Sequence, residues 1–447
     1  MSESSNLDRQ MFKKIPIIDY KNKMTDITYL KRLFQAYYRE NQSKIPAIDS
    51  FNQREFGFIP WDKQMMIRHT SFKNPENLAR FLIDNGPKHT YSSGTLYLKP
   101  DNPDMSKKEY QGCDLIVDID VDHFYTPCKD DHDQWQCKEC GKTGKGMEEK
   151  CPKCGKKKLS TLTWICEKCL NIAKNEVVKL VYDFLIPDFG IKEDHMKIAF
   201  SGHRGYHLKI ENKDIRMLSS DERRDIADYI TGENISFEIL GLREIGGTIY
   251  GIFSQNIGWS QKIIKKIQAF LKKPNAEIEH LLLDKRKFDF NPKVVNSFLK
   301  YKDDFLDVIT NNKNNIWAIE GFGIARWKKF LEEIVKEIGI NIDEPVTVDI
   351  HRLIRYPGTL HGATGFKVQE LDLNELENFN PLNESDENLD PIVFKSENIQ
   401  KIEIKESFVP ATKILDITYG PYKKGDKIEV PHHIAVFLLC KGVAKTL

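Results

Sequence analysis

The chain has 447 residues, 40% of them apolar and 30% charged, which excludes a peptide or minimal module and predicts two or three domains. Its longest apolar runs, such as 434–440, fall far short of the roughly 20 residues a bilayer span needs, so the composition points to a soluble protein with no membrane partner. The 67 Lys and Arg nearly cancel the 66 Asp and Glu, so any attraction for nucleic acid has to come from local patches.

The N-terminal stretch MSESSNLDRQMFKKIP has neither an apolar h-region nor a small-residue cleavage site, which predicts a cytoplasmic protein. Residues 28–40, TYLKRLFQAYYRE, carry apolar and aromatic side chains at helical spacing and predict an amphipathic helix. Residues 110–124, YQGCDLIVDIDVDHF, alternate instead. Leu115, Val117, Ile119 and Val121 share one face, and Ile116, Asp118, Asp120 and Asp122 the other, which predicts a strand with an acidic face. Asp118 and Asp120 then point the same way with Cα atoms roughly 6–7 Å apart, a spacing that lets two carboxylates converge on a pair of divalent cations. The bland alternative is a wet strand face, although grouped carboxylates on so strongly β-forming a segment would repel one another without a cation.

Seven of the nine cysteines fall between 128 and 169, and such crowding in a reducing compartment points to metal rather than disulfides. Cys137-x2-Cys140 and Cys151-x2-Cys154 have the spacing of a zinc ribbon. Cys128, His132, Cys166 and Cys169 supply a second set of four ligands, so two structural zinc sites are expected, one nested inside the other. One zinc with spare cysteines, or a different pairing, is the competing reading. Cys113 and Cys440 read as apolar fillers.

A helix over 171–185 and a strand over 196–200 are followed by Ser201-Gly202-His203-Arg204-Gly205-Tyr206-His207 and a returning strand at about 207–211. Two glycines permit close backbone approach to a ligand, and Arg204 with His207 can hold a triphosphate; a hairpin with incidental polar residues is the alternative. Residues 213 to about 340 hold several stretches with helical period, among them RWKKFLEEIVKEIG. The segment 343–367 gathers Asp343, Asp349, His351, Arg352, Arg355, His361 and Lys367 around Pro357-Gly358, which suits a site where metal and phosphates meet but equally a polar loop. Residues 369–397 hold nine acidic residues against Lys395 alone and read as an exposed linker.

In this order, LKRLFQAYYRE, QREFGFIPWDKQMMIRHTSF, LIVDID, the cysteine knuckle, SGHRGYH and VTVDIHRLIRYPGTLHGATG resemble the catalytic small subunit of the archaeal and eukaryotic type of DNA primase. The resemblance covers about residues 28–370, and the last motif is nearer the archaeal form. It implies an α+β fold: a primase-type mixed α/β catalytic core with an inserted zinc-binding module and a helical subdomain. The resulting plan puts the first part of the core at 1–212, containing the zinc module at 128–169. A mainly helical insert follows at 213–340, the second part of the core at 341–370, an acidic linker at 371–397 and a small, mainly β segment at 398–447.

The resemblance further implies a nucleotidyltransferase that begins short RNA or DNA primers de novo on single-stranded DNA from nucleoside triphosphates, with Mg2+ or Mn2+ and with a large primase subunit as partner. Asp118, Asp120 and Asp343 would be its metal-binding carboxylates, with Asp349 competing for the third place. Ser201, Arg204, His207, Arg355 and His361 would contact the incoming nucleotide, and Arg54 and Arg68 would line the same basic site. The family's single knuckle matches Cys128, His132, Cys166 and Cys169, which leaves Cys137, Cys140, Cys151 and Cys154 as an additional ribbon. Two rival readings stand beside this one. A non-catalytic zinc-ribbon protein that binds nucleic acid or a replication partner would need no cation on the acidic strand. A two-metal nuclease would leave SGHRGYH and PGTLH without a triphosphate to hold.

Overall fold

The computed structural model describes residues 25–253, 257–311 and 314–447. The chain divides into two compact units: Met1–Val177, Asp194–Ser220 and Asp343–Leu447 form the first, and Val178–Glu193 with Asp221–Ile342 the second. No helix among the described residues is long and apolar enough to cross a membrane.

The first unit opens with helix α1 (Asp26–Glu40), which is capped by the Thr25 side chain and buries Leu30, Leu33, Phe34, Tyr37 and Tyr38 on one face. Strands β1 (Arg54–Ile59), β2 (Ile67–Thr70), β3 (His89–Tyr97) and β4 (Tyr110–Cys113) belong to one sheet, and β5 (Leu115–Asp120), β6 (Met196–Phe200) and β7 (Gly205–Ile210) to another. Strand β8 (Leu353–Arg355) joins the first sheet, in the order β8-β3-β1-β2 with β4 also on β3. Strand β9 (Gln369–Leu371) completes the second, in the order β9-β6-β7-β5. All pairings in these two sheets are antiparallel.

Strand β5 shows why the site lies where it does. Leu115, Val117 and Ile119 are buried on one face, and Ile116 is buried at the start of the other, so that face becomes polar only at Asp118 and Asp120. The register with β7 sets His207 directly opposite Asp118 and Gly205 opposite Asp120. A side chain at 205 would put its Cβ 2.5 Å from the Ile119 carbonyl oxygen, so only glycine lets the backbones close there. Gly202 at φ +81° makes the turn between β6 and β7.

The cysteine block between β5 and β6 forms a small three-stranded sheet, Gln134–Cys137 flanked by Thr143–Lys145 and Leu159–Leu162, around Trp135, Cys137 and Cys151. The C-terminal residues build another, from Ile399–Ile404, Lys427–Pro431 and Ala444–Thr446, with the apolar helix His432–Cys440 against it.

Residues 371–397 differ from the expected exposed linker. Leu376, Phe379, Leu382, Ile392 and Phe394 are buried, with Phe379 5.9 Å from Phe200 and Phe394 stacked 6.1 Å from Phe34. Most of the acidic residues are exposed or half-buried while the apolar ones between them anchor the chain, and Asp390, itself buried, pairs with Lys395.

The second unit is mainly helical. Its first helix, Ser220–Thr231, starts at the unit boundary, Gly258–Leu271, Asn275–Leu283, Pro292–Asn311 and Ile324–Ile338 are helices too, and Arg243–Ile245 with Thr248–Tyr250 form a hairpin. Its interior is aromatic, with Phe270 and Phe330 5.5 Å apart and Trp317 and Trp327 4.8 Å apart. This unit begins at Asp221 rather than 213 and also takes in Val178–Glu193, where the expected helix 171–185 ends at Lys179 and loosens into a π turn over Leu180–Leu185.

Candidate active site

A cavity of about 420 Å³ in the first unit is lined by Asp118, Asp120 and Asp122 on one side. Ser201, His203, His207, Asp343, Arg355, His361 and His89 complete much of the rest. Asp343 is brought there by its own backbone, whose N–H donates to the Asp118 carbonyl oxygen at 2.9 Å. The short helix Glu344–Val348 then runs beside β5. Asp349, the competing third carboxylate, turns instead to the His351 N–H at 2.9 Å and does not line the cavity.

The carboxylates have unequal environments. Burial favours the neutral form of Asp118, but the His207 ring 2.9 Å away, with His123 and Arg355 beyond it, more than offsets this and holds its carboxyl below the usual range. Burial and the neighbouring charges of Asp122 and Asp118 push Asp120 up to about 6. A protein that keeps one carboxylate ionised and a second reluctant to ionise beside it is short of positive charge at that point, which hard divalent cations on oxygen ligands would supply. His207 adds a second sign. Its Nδ1 is engaged by Asp118, whereas its buried Nε2 has no hydrogen-bond partner among the described residues.

The opposite wall is a set of imidazoles. His89 and His361 have ring centres 4.8 Å apart, and His361 and His203 stack at 5.2 Å and 8°. Burial and nearby cations, Arg355 among them, hold all three well below the ordinary histidine range, so they are neutral. Arg355 Nη1 at 2.8 Å and the Gly362 N–H at 3.2 Å both donate to His89 Nδ1, and the Ala363 N–H donates to His361 Nδ1 at 3.2 Å. Each ring must then carry its proton on Nε2, so both are N–H donors suited to an anion. Arg355 also lies 5.2 Å over the Tyr91 ring.

Three arginines expected to meet the nucleotide have other partners. Arg204 is buried, its Nε 2.6 Å from Asp122 and its Nη1 2.9 Å from both oxygens of Asp133 and from the Trp164 carbonyl. Burial opposes its charge, yet the two carboxylates more than compensate and raise its pKa. Arg54 is fully buried against Asp114 at 2.6 Å and the Ser93 and Gly94 carbonyls. Arg68 pairs with buried Glu55 at 2.9 Å and with the His351 carbonyl. None of the three lines the cavity. Each guanidinium neutralises a carboxylate contributed by a distant segment, which its own local sequence does not reveal. Asp122 and His203 lie on the acidic strand face and within SGHRGYH, but nothing local marks their part in the cavity, and His89 carries no local signal at all.

Both cysteine quartets assemble. The ligand atoms of Cys128, His132, Cys166 and Cys169 lie within 4.8 Å of one another, as do those of Cys137, Cys140, Cys151 and Cys154. Cys137–Cys154 and Cys140–Cys151, both at 3.6 Å, suit a tetrahedral ion with Zn–S bonds of about 2.3 Å, whereas Cys128–Cys169 at 3.2 Å would have to open slightly to hold one. Hydrogen bonding from Cys169 and the adjacent His132 lowers the Cys166 thiol, and the same contact raises Cys169, so the metal-free quartet shares protons that a bound metal would displace. His132 Nδ1 donates to Asp133 at 2.8 Å, and Asp133 in turn holds Arg204, so the first quartet is tied to the cavity wall through Asp133, Arg204 and Asp122. Asp120, Asp122 and His203 form a further group with ligand atoms within 4.8 Å, but Asp122 there is engaged by Arg204.

A family model described as DNA primase small subunit matches residues 155–373. The chain is similar to the DNA primase small subunit PriS of Methanothrix thermoacetophila, with 31% identity over 94% of this chain and 98% of that protein. It is likewise similar to the subunits of the same name from Methanosarcina mazei, at 31% over 93% and 96% of the two chains, and from Cenarchaeum symbiosum, at 29% over 94% and 98%.

Proposed function

The chain belongs to the DNA primase small-subunit family and is by that membership a DNA primase; from this premise we propose that it starts short RNA primers de novo on single-stranded DNA by metal-assisted phosphoryl transfer. The observation that carries the proposal is the cavity itself, with three carboxylates from β5 and the Asp343 segment on one wall and Arg355 with neutral, donor-bearing histidines on the other.

Asp118, Asp120 and Asp343 would hold Mg2+ or Mn2+, and the raised Asp120 together with the orphaned His207 Nε2 fit a site completed by such ions and a nucleotide. Divalent cations held by these carboxylates would lower the pKa of an attacking hydroxyl and stabilise the leaving oxygen. His207 keeps Asp118 ionised and oriented through its Nδ1 bond. The Nε2–H groups of His89 and His361, the Arg355 guanidinium and the Ser201 hydroxyl would bind and orient the triphosphate, so that the chain's contribution is positioning and electrostatics. Arg204 acts one step back, by fixing Asp122 and the Asp133 that steadies His132. The two cysteine quartets would each hold a structural zinc ion. Single-stranded template and nucleoside triphosphates would be the substrates, and a large primase subunit the partner of a heterodimer. A non-catalytic zinc-ribbon protein accounts for the quartets but leaves the carboxylate and histidine walls without a purpose.

The test is synthesis by the purified chain on single-stranded DNA with labelled triphosphates and either cation, with and without a large subunit. Metal-dependent dinucleotides and short primers are expected, and Asp118→Asn, Asp120→Asn and Asp343→Asn should each lower the rate by about 10³ or more. Undiminished synthesis by these variants, or no synthesis under any condition, would contradict the proposal.

A further inference from the structure

The helix His432–Cys440 closes with Lys441 at its C-cap and Gly442 at φ +72°, where the Gly442 and Val443 N–H groups return to the Leu439 and Leu438 carbonyls. Its Phe437 packs 5.5 Å from Trp164 and stacks 5.7 Å from Phe366, which seats the end of the helix between the segment carrying Thr163 and the loop beside His361. A lysine at a helix C-terminus ordinarily serves the helix's own last carbonyls. Lys441 reaches away from them. Its Nζ donates to the Thr163 carbonyl at 2.9 Å and to His203 Nε2 at 2.7 Å.

Burial, and Arg204 nearby, lower Lys441 to about 7 against the pull of Asp122, Asp133 and Asp120, and its charged form can only donate, so His203 Nε2 then accepts and the ring proton sits on Nδ1. His203 is thereby the counterpart of His89 and His361, in which a donor on Nδ1 forces the proton to Nε2. It lines the cavity and stacks on His361, so three rings are each committed by a bond on one nitrogen to offering N–H from the other. We propose that Lys441, close to the C-terminal end of the chain, is a positioning residue for the nucleotide: it locks His203 as an Nδ1–H donor to the bound triphosphate. The C-terminal segment then belongs to the substrate site and is not an appendage to it. This rests on the reading of the cavity as a triphosphate site.

The test uses the full chain labelled with 15N at histidine, with His203→Ala to assign the His203 signals. Below pH 7, where Lys441 carries its proton, the wild-type ring should show a protonated Nδ1, and Lys441→Met should shift it toward the Nε2–H tautomer. In parallel, ATP is titrated with and without Mn2+. Lys441→Met should weaken ATP about tenfold, Lys441→Arg should recover most of that loss, and Lys441→Met combined with His203→Ala should bind no more weakly than His203→Ala alone. Mn2+ affinity and melting temperature should stay as in the wild type, which separates positioning from folding or a metal role. An Nε2–H tautomer in the wild type, a tautomer indifferent to Lys441→Met, unchanged ATP affinity, or losses that multiply in the double variant would each overturn the inference. Failure of the wild type to bind ATP at all would instead refute the triphosphate reading, because the tautomer is measured without nucleotide.

Discussion

Replacing Arg204 with Ala separates two roles that a guanidinium in SGHRGYH can have. In the structure it spans Asp122 and Asp133, with bonds of 2.6 Å to the first and 2.9 Å to both oxygens of the second, plus the Trp164 carbonyl. Removing one partner of a buried ion pair costs about 3–5 kcal/mol, chiefly because the other charge is left uncompensated. The Asp133 side chain is only 8% exposed and bears most of that penalty, whereas Asp122 at 34% is partly relieved by water, so the low end, about 3 kcal/mol, applies. At roughly 2–4 °C per kcal/mol for a body of about 200 residues, and somewhat less for a larger one, the melting temperature should fall about 5–10 °C. Arg204→Lys keeps the charge but cannot span both carboxylates and should lose about half as much. Thermal unfolding read alongside ATP titration decides the matter. A melting temperature within 2 °C of wild type together with a large loss of ATP affinity would mean that Arg204 faces the nucleotide and that the account of its burial is wrong.

Asp120, raised to about 6 by burial and by Asp122 and Asp118, titrates higher in the folded than in the unfolded chain. Its contribution is therefore lost as pH rises from about 4 to about 6, a destabilisation on the order of 1–3 kcal/mol at pH 7 without metal. Asp120→Asn should thus melt higher than metal-free wild type at pH 7 and gain less from added Mn2+; a lower melting temperature would count against the crowding of carboxylates. Native mass spectrometry should find two zinc ions per chain, and Cys140→Ser and Cys166→Ser should each remove one. Only Cys166→Ser should also weaken ATP binding, because its quartet reaches the cavity through Asp133 and Arg204; unchanged zinc content in either variant would refute the ligand assignment. Phe394→Ala should cost about 3 kcal/mol, since the ring is buried against Phe34 and Tyr37; an unaltered melting temperature would return 371–397 to the exposed linker expected from charge.

What the sequence disclosed follows from the range of the forces involved. Period-two alternation marked β5 because a strand with one buried face must alternate, and the cysteine spacings marked both quartets because tetrahedral coordination demands ligands at short fixed intervals. Asp343 and Asp349 could not be separated by spacing, since the choice depends on a backbone bond to Asp118, more than two hundred residues earlier. The partners of Arg54, Arg68 and Arg204 were illegible for the same reason: which carboxylate an arginine meets is set by the fold, and Asp114, Glu55, Asp122 and Asp133 come from other segments. His89 and Lys441 were silent because they reach the cavity from β3 and from the C-terminal helix, with nothing beside them in sequence to indicate a site. In 371–397 the count of charges concealed the apolar residues between them, although five buried side chains suffice to hold the segment down.

Asp118, Asp120 and Asp343 are proposed to bind divalent cation jointly, next to a triphosphate. Mn2+ binding followed by electron paramagnetic resonance, with and without ATP, tests it most directly. ATP should tighten Mn2+ binding to the wild-type chain, and this gain should disappear in Asp118→Asn, Asp120→Asn and Asp343→Asn while both zinc ions are retained. An equal gain in all four proteins would contradict it.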